Sequence, residues 1–108
     1  MNIHILTVPY DSGMYGVRMG AGPERLLACG LRERLVTSGH DVSVGEILAA
    51  SAEVPSEVDT AASILTGLSY SVSSAVGDNR FPIVLAGSCY SAVETVAGLS
   101  PPHPGVVW

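Results

Sequence analysis

Phe81-Pro82-Ile83-Val84-Leu85-Ala86-Gly87-Ser88-Cys89-Tyr90-Ser91 is the stretch on which the fold of this chain turns. Phe81 to Ala86 is apolar at nearly every position, with no polar alternation. A short run of that kind reads as a strand buried on both faces, as in a parallel sheet. Gly87 ends it, and the residues after it turn into a helix predicted over Ala92 to Leu99. A buried strand feeding a helix is half of a β-α-β unit, the building block of parallel α/β sheets.

The same reading extends toward the amino terminus. Asn2 to Val8 is a second run rich in β-branched residues, closed by Pro9. A helix is predicted from Gly22-Pro23-Glu24 to Gly39. Pro23 suits a first helical turn, Glu24 suits the positive end of the dipole, and Leu27, Leu31 and Leu35 share one face. Asp41 to Ile47 follows as a strand in which Val42 and Val44 alternate with polar residues, placing it nearer a sheet edge. Ser56-Glu57-Val58-Asp59 resembles a capping box. The helix after it repeats apolar residues at Val58, Ala61, Ala62, Leu65, Leu68, Val72, Ala75 and Val76 and closes at Gly77. Pro101, Pro102 and Pro104 make a stiff connector, and Gly105-Val106-Val107-Trp108 reads as the start of a further strand. The order β-α-β-α-β-α-β predicts an α/β fold: a parallel sheet with helices on both faces and right-handed crossovers. A strand start with no covering helix after it implies an incomplete domain, so residues 1–108 are expected to be the N-terminal portion of something longer.

Composition narrows the function. The chain has 108 residues, 47% hydrophobic and 14% charged, with a net charge of -5 and every basic residue an arginine. That charge disfavours a nucleic-acid face and an anionic-membrane anchor. No apolar window approaches the roughly 18–20 residues of a membrane span, and the amino terminus lacks the basic region of a signal peptide. Two cysteines are too few for a disulfide scaffold, so a cytoplasmic location is expected.

Ligands of open α/β sheets sit outside the carboxyl ends of the strands. Two segments fall there: the loop Tyr10 to Gly22, and the turn Ala86 to Ser91. The loop carries Asp11, Arg18 and glycines at 13, 16, 20 and 22, but neither a G-x-G-x-x-G nor a P-loop spacing. Asp11 reads either as a turn or cap residue or as part of a site mouth, and Arg18 as a surface residue or a substrate contact. In the turn, Cys89 stands where helix N–H dipoles favour a negatively charged sulfur. Gly87-x-Cys89-x-Ser91 is similar to a nucleophile elbow without its second glycine. A catalytic thiolate also needs a base, and none of His4, His40 or His103 is expected near Cys89. Cys89 therefore stays open as a nucleophile or a small buried hydrophobe, and Cys29 reads as a core or helix-face residue. No H-x-x-x-H, C-x-x-C or D-x-D spacing is present, so a closed metal site cannot be assembled by this sequence alone.

Together these segments resemble the arginase/agmatinase (ureohydrolase) family over essentially the whole chain. Val8-Pro9-Tyr10-Asp11-Ser12-Gly13 is similar to the family's first-strand turn, G-x-P-x-D-x-G. Arg18-Met19-Gly20-Ala21-Gly22-Pro23 is similar to its R-x-G-x-x-x-G-P loop, two residues shorter. Leu27 and Ala28 stand where the family's helix would carry an arginine. Phe81 to Gly87 resembles the strand leading to the G-G-D-H-S metal motif, and Gly105 to Trp108 the strand leading to D-A-H-x-D.

The resemblance implies a three-layer αβα fold with two Mn²⁺ ions that activate a water against a guanidinium carbon, releasing urea or a related amide. The substrate would be a small guanidino or amidino compound, with no nucleic acid or membrane partner, and the parent a homo-oligomer. Asp11 and Arg18 would belong to loops shaping the substrate mouth. Cys89 falls on the metal-binding histidine and Ser88 on the aspartate. A thiolate suits Zn²⁺ or Fe better than Mn²⁺, so the parent either keeps one metal, takes a different one, or has left hydrolysis. The later ligand motifs lie outside residues 1–108, so this stretch alone is expected to be inactive and to expose an apolar strand edge. The competing readings are a non-enzymatic α/β binding module and a cysteine-dependent hydrolase using Cys89.

Overall fold

The computed structural model describes residues 1–50, 57–99 and 105–107. Its strands are β1 (Asn2–Val8), β2 (Tyr10–Asp11), β3 (Met14–Tyr15), β4 (Asp41–Glu46) and β5 (Phe81–Ala86). Its helices are α1 (Gly22–Ala28), α2 (Leu31–Thr37), α3 (Glu57–Gly77) and α4 (Ser91–Gly98). β1 is central, with β4 and β5 parallel to it on either side in the order β4-β1-β5. Ile5 lies in register with Val44 on one flank and Ile83 on the other. This is the expected parallel α/β sheet, with the alternating strand β4 at an edge among the described residues.

Both faces of β1 are covered because its side chains alternate between two apolar layers. Leu6 and Val8 pack with Tyr10, Ile47 and the α3 residues Ile64, Leu68 and Val72. Ile3 and Ile5 pack with Val42, and Leu27, Leu31 and Leu35 lie against them. One layer belongs to α3 and the other to α1 and α2.

Several expectations need correction. The predicted helix from Gly22 to Gly39 is two helices, broken where Gly30 adopts φ 91°, a left-handed conformation that costs a glycine little. The leucine face survives the break, because all three leucines still reach the same apolar layer. In α3 the buried residues are Ile64, Leu68, Val72 and Ala75, whereas Val58 is 77% exposed. The first buried residue of α3 is Ile64, so the opening turn that carries Val58 is exposed. Cys29 is exposed after the last turn of α1 and is not a core residue. Residues 105–107 are exposed and join no strand, so the further strand is not formed there. Ser56, Pro101, Pro102, His103, Pro104 and Trp108 lie outside the described residues. β5, expected to be buried on both faces, is half-buried along its length with Phe81 exposed, because among the described residues only β1 pairs with it. No described helix is long and apolar enough to cross a membrane.

Candidate functional site

β1 and β5 run parallel, so their carboxyl ends deliver the loop after Val8 and the turn after Ala86 to the same rim of the sheet. The two segments touch. The N–H of Gly87 donates to the Val8 carbonyl at 3.1 Å, and the Ser88 hydroxyl donates to the Tyr10 carbonyl at 3.2 Å. Gly20 and Gly87 make this approach sterically feasible. A Cβ on Gly87 would stand 2.7 Å from the Cα of Gly20 and 2.5 Å from the Tyr10 carbonyl oxygen. Gly20 in the loop thus serves backbone-to-backbone packing.

The loop from Tyr10 to Gly22 is itself folded. β2 and β3 form a small antiparallel hairpin, Tyr10 opposite Tyr15 and Asp11 opposite Met14. Its turn residues Ser12 and Gly13 both have positive φ, 50° and 76°, which matches the twist that tight hairpins require. The Tyr10 and Tyr15 rings meet edge to face at 5.4 Å. Tyr10 is buried, and its hydroxyl accepts the N–H of Ala49 at 2.9 Å. Tyr15 is exposed and donates to Glu46 Oε1 at 2.7 Å, which raises its pKa above the usual tyrosine value.

Asp11 holds this loop together. One carboxylate oxygen accepts the Ser12 hydroxyl at 3.2 Å, and the other accepts the Met19 N–H at 3.3 Å, at the single turn of 3₁₀ helix Arg18–Ala21. That is the turn-and-cap role, with the carboxylate already engaged. Arg18 opens the 3₁₀ turn with φ 53°, a strained value for a long side chain. It is exposed and forms no ion pair with Asp11.

In the turn, Cys89 is exposed and Tyr90 and Ser91 lead into α4. The alternative of a small buried cysteine is therefore excluded. His4 is half-buried in mid-sheet, its Nδ1 2.6 Å from the Ser43 hydroxyl, and it lies in register with Pro82, well before the turn. His40 precedes β4 at the opposite end of the sheet. Neither described histidine sits beside Cys89. Among the described residues no three His, Cys, Asp or Glu side chains converge as metal ligands.

Two hydroxyls near Cys89, those of Tyr90 and Ser91, were given no role of their own from sequence. The Tyr90 hydroxyl is buried without a hydrogen-bond partner, and burial is the main reason its pKa is raised. Ser88 works in the opposite direction, but its hydroxyl is committed to Tyr10. Ser91 is 2% exposed, and its hydroxyl also lacks a partner. A serine beside a helix start is ordinarily read as a cap, so the sequence carried no signal that this one would be buried and unpaired.

No family model matches the sequence, and no curated protein does either. Solved structures do. The arginase from Bacillus caldovelox is 29% identical with a TM-score of 0.77, over 91% of this chain and 36% of that enzyme. The arginase from Bacillus cereus is 29% identical with a TM-score of 0.76, over 92% of this chain and 35% of that one. An arginase from Bacillus subtilis is 27% identical with a TM-score of 0.71, over 92% and 33%. The chain thus spans about a third of the length of the enzymes it matches. The arginase resemblance carried by its loops therefore holds in three dimensions: in fold and in sequence, this chain is similar to one third of a bacterial arginase.

Proposed function

We propose that this chain is the N-terminal part of an arginase-like, metal-dependent hydrolase of C–N bonds in linear amidines and guanidino compounds, and that it is inactive by itself. The observation that supports this is the likeness to bacterial arginases over more than 90% of the chain, at 27–29% identity. In this reading Asp11 and Arg18 shape the mouth of the substrate site, the first by fixing the loop and the second by projecting from it. The substrate is a small guanidino or amidino molecule, and the parent is a homo-oligomer that works in the cytoplasm without nucleic acid or membrane.

The donor set at the strand ends does not fit a complete two-manganese centre. Cys89 offers one soft thiol, the Ser88 hydroxyl is engaged by Tyr10, and the Asp11 carboxylate is engaged by Ser12 and Met19. Hard Mn²⁺ prefers carboxylate, carbonyl and water oxygens. Cys89 enters this proposal only as an edge ligand of a site completed elsewhere.

The test is release of urea or ammonia from arginine, agmatine and guanidinobutyrate with Mn²⁺ supplied. It compares the 108-residue chain with the product of the complete reading frame. Turnover by the longer product alone is the expected result. Turnover by the short chain overturns its inactivity, and silence of the longer product on every compound overturns the hydrolase reading. Metal content of the longer product, with and without Cys89→Ser, decides the edge ligand: unchanged content removes Cys89 from the site.

A further inference from the structure

One side of α3 turns polar toward the end of the helix. Ser71, Ser74 and Asp78 recur at i, i+3 and i+7, and the N–H of Asp78 still donates to the Ser74 carbonyl at 2.9 Å, so the three share that side. They line a cavity of about 230 Å³, closed on the sheet side by His4 and Ser43. It lies toward the amino ends of the strands, away from the carboxyl rim. The sheet side is held in place. The Ser43 hydroxyl accepts Arg80 Nη1 at 3.2 Å and lies 2.6 Å from His4 Nδ1, and Arg80 pairs with Asp41 at 3.1 Å. The helix side is not. Thr66 and Thr95 return their hydroxyls to helix carbonyls four residues back, a common outlet for a helical hydroxyl. Among the described residues the side chains of Tyr70, Ser71, Ser74 and Asp78, all on the cavity wall, make no hydrogen bond or ion pair. Tyr70, Ser74 and Asp78 are exposed and Ser71 is half-buried, so a solute reaches all four.

We propose that this cavity binds a neutral polyol, a single sugar ring or a shorter polyhydroxy compound. Charge selects against the other classes. Asp41 offsets Arg80, so an anion gains little from the guanidinium and is repelled by Asp78. A cation drawn to Asp78 meets Arg80 in the same cavity. An apolar solute finds only Ala75 and the Tyr70 ring, and strips water from the hydroxyls without replacing its bonds. A polyol donates to the Asp78 carboxylate, and both donates to and accepts from the Ser71 and Ser74 hydroxyls. Its C–H groups have a place on the Tyr70 ring, which is 77% exposed and carries negative charge over its face. Volume limits the size, since about 230 Å³ lies below the roughly 300–1,000 Å³ of pockets for drug-sized ligands. The inference does not rest on the hydrolase reading, because it needs neither metal nor turnover and uses no residue of the rim.

The product of the complete reading frame is titrated with ribose, glucose and glycerol, and separately with ethylammonium chloride and sodium acetate, with binding read by saturation-transfer difference NMR. The expected result is saturable, millimolar binding of at least one polyol, weakened at least threefold by Tyr70→Ala and by Asp78→Asn. Both side chains are exposed, so neither change opens the core. In the parent protein the same polyol should shift the imidazole signals of His4 and leave those of His40, which does not line the cavity. Saturation by none of the three polyols overturns the proposal. So does tighter binding of ethylammonium or acetate, which reassigns the ligand to a charged class. Polyol binding that keeps its full strength in both variants, or that leaves the His4 signals in place, lies elsewhere on the molecule and overturns the proposal as well. None of these readouts involves hydrolysis, so a product that binds a polyol here and turns over no guanidino compound keeps this inference and loses the hydrolase reading.

Discussion

The Cα of Gly20 stands 2.7 Å from the point where Gly87 would carry a Cβ, so the two loops at the carboxyl rim of the sheet meet backbone to backbone at these glycines. One glycine comes from the loop after β1 and the other from the turn after β5. Their contact makes a single rim out of segments far apart in sequence.

Gly87→Ala therefore has nowhere to place its methyl group, because the atoms it meets are backbone and cannot swing away. The expected loss is about 3 kcal/mol, the upper end of overpacking penalties. Gly22→Ala is the control: nothing lies within 4 Å of its Cβ position. It begins α1 with φ -60° and should gain about 0.4–1 kcal/mol. Urea unfolding of both variants measures the contrast.

Leu68 is fully buried between α3 and the β1 layer, so Leu68→Ala should cost about 2–5 kcal/mol. Val58, on the same helix but 77% exposed, should tolerate alanine within about 0.5 kcal/mol. Thermal or urea unfolding of the pair separates the buried face from the apolar residues that merely share its spacing.

Arg80 donates to the Ile3 carbonyl at 3.3 Å and the Ser43 hydroxyl at 3.2 Å, and pairs with Asp41 at 3.1 Å. Asp41 is 65% exposed, so Asp41→Asn should cost less than about 1 kcal/mol. Arg80→Ala removes the bonds to the carbonyl of buried Ile3 and to half-buried Ser43 as well, and should cost about 1–3 kcal/mol. Equal losses in the two variants would contradict this.

Tyr15 should ionise above the ordinary tyrosine value of 10.0, chiefly because its hydrogen bond to Glu46 is lost when the proton leaves. Since the folded pKa is the raised one, the stabilising contribution is fully present below pH 10.0 and fades as pH rises through the folded value. In Glu46→Gln, ultraviolet titration should show one tyrosine ionising at lower pH than in the parent.

The 108-residue chain expressed alone should aggregate through β5, whose outer edge is unpaired among the described residues. Phe81 is 56% exposed at the start of that strand, and Phe81→Lys should reduce light scattering with little change in the melting temperature. A soluble monomer with a sharp melt in the parent chain would remove this prediction.

Hydrophobic patterning made the three parallel strands and α3 legible: β1 and β5 are near-continuous apolar runs, β4 alternates as an edge strand does, and α3 repeats apolar residues at helical spacing. It missed the break at Gly30, since a leucine stripe continues across a kink when both helices lie on the same apolar layer. It also grouped Val58 with the apolar residues of α3, though Val58 is 77% exposed, because spacing reports which face of a helix a residue shares and not whether anything packs against it. At the rim, Asp11 was read either way, and only its bonds to Ser12 and Met19 show the carboxylate engaged in holding the loop. Ser91 gave no sign, because whether a hydroxyl finds a partner depends on what packs around it.

By itself the sequence determined the parallel α/β architecture and the likeness to arginases, because strand patterning and chain order are local and directional properties. Only the tertiary structure decided that the two rim segments meet at Gly20 and Gly87 and that Cys89 is exposed. Those outcomes depend on contacts between residues distant in the chain, set by strand register and close packing, to which no local pattern is sensitive.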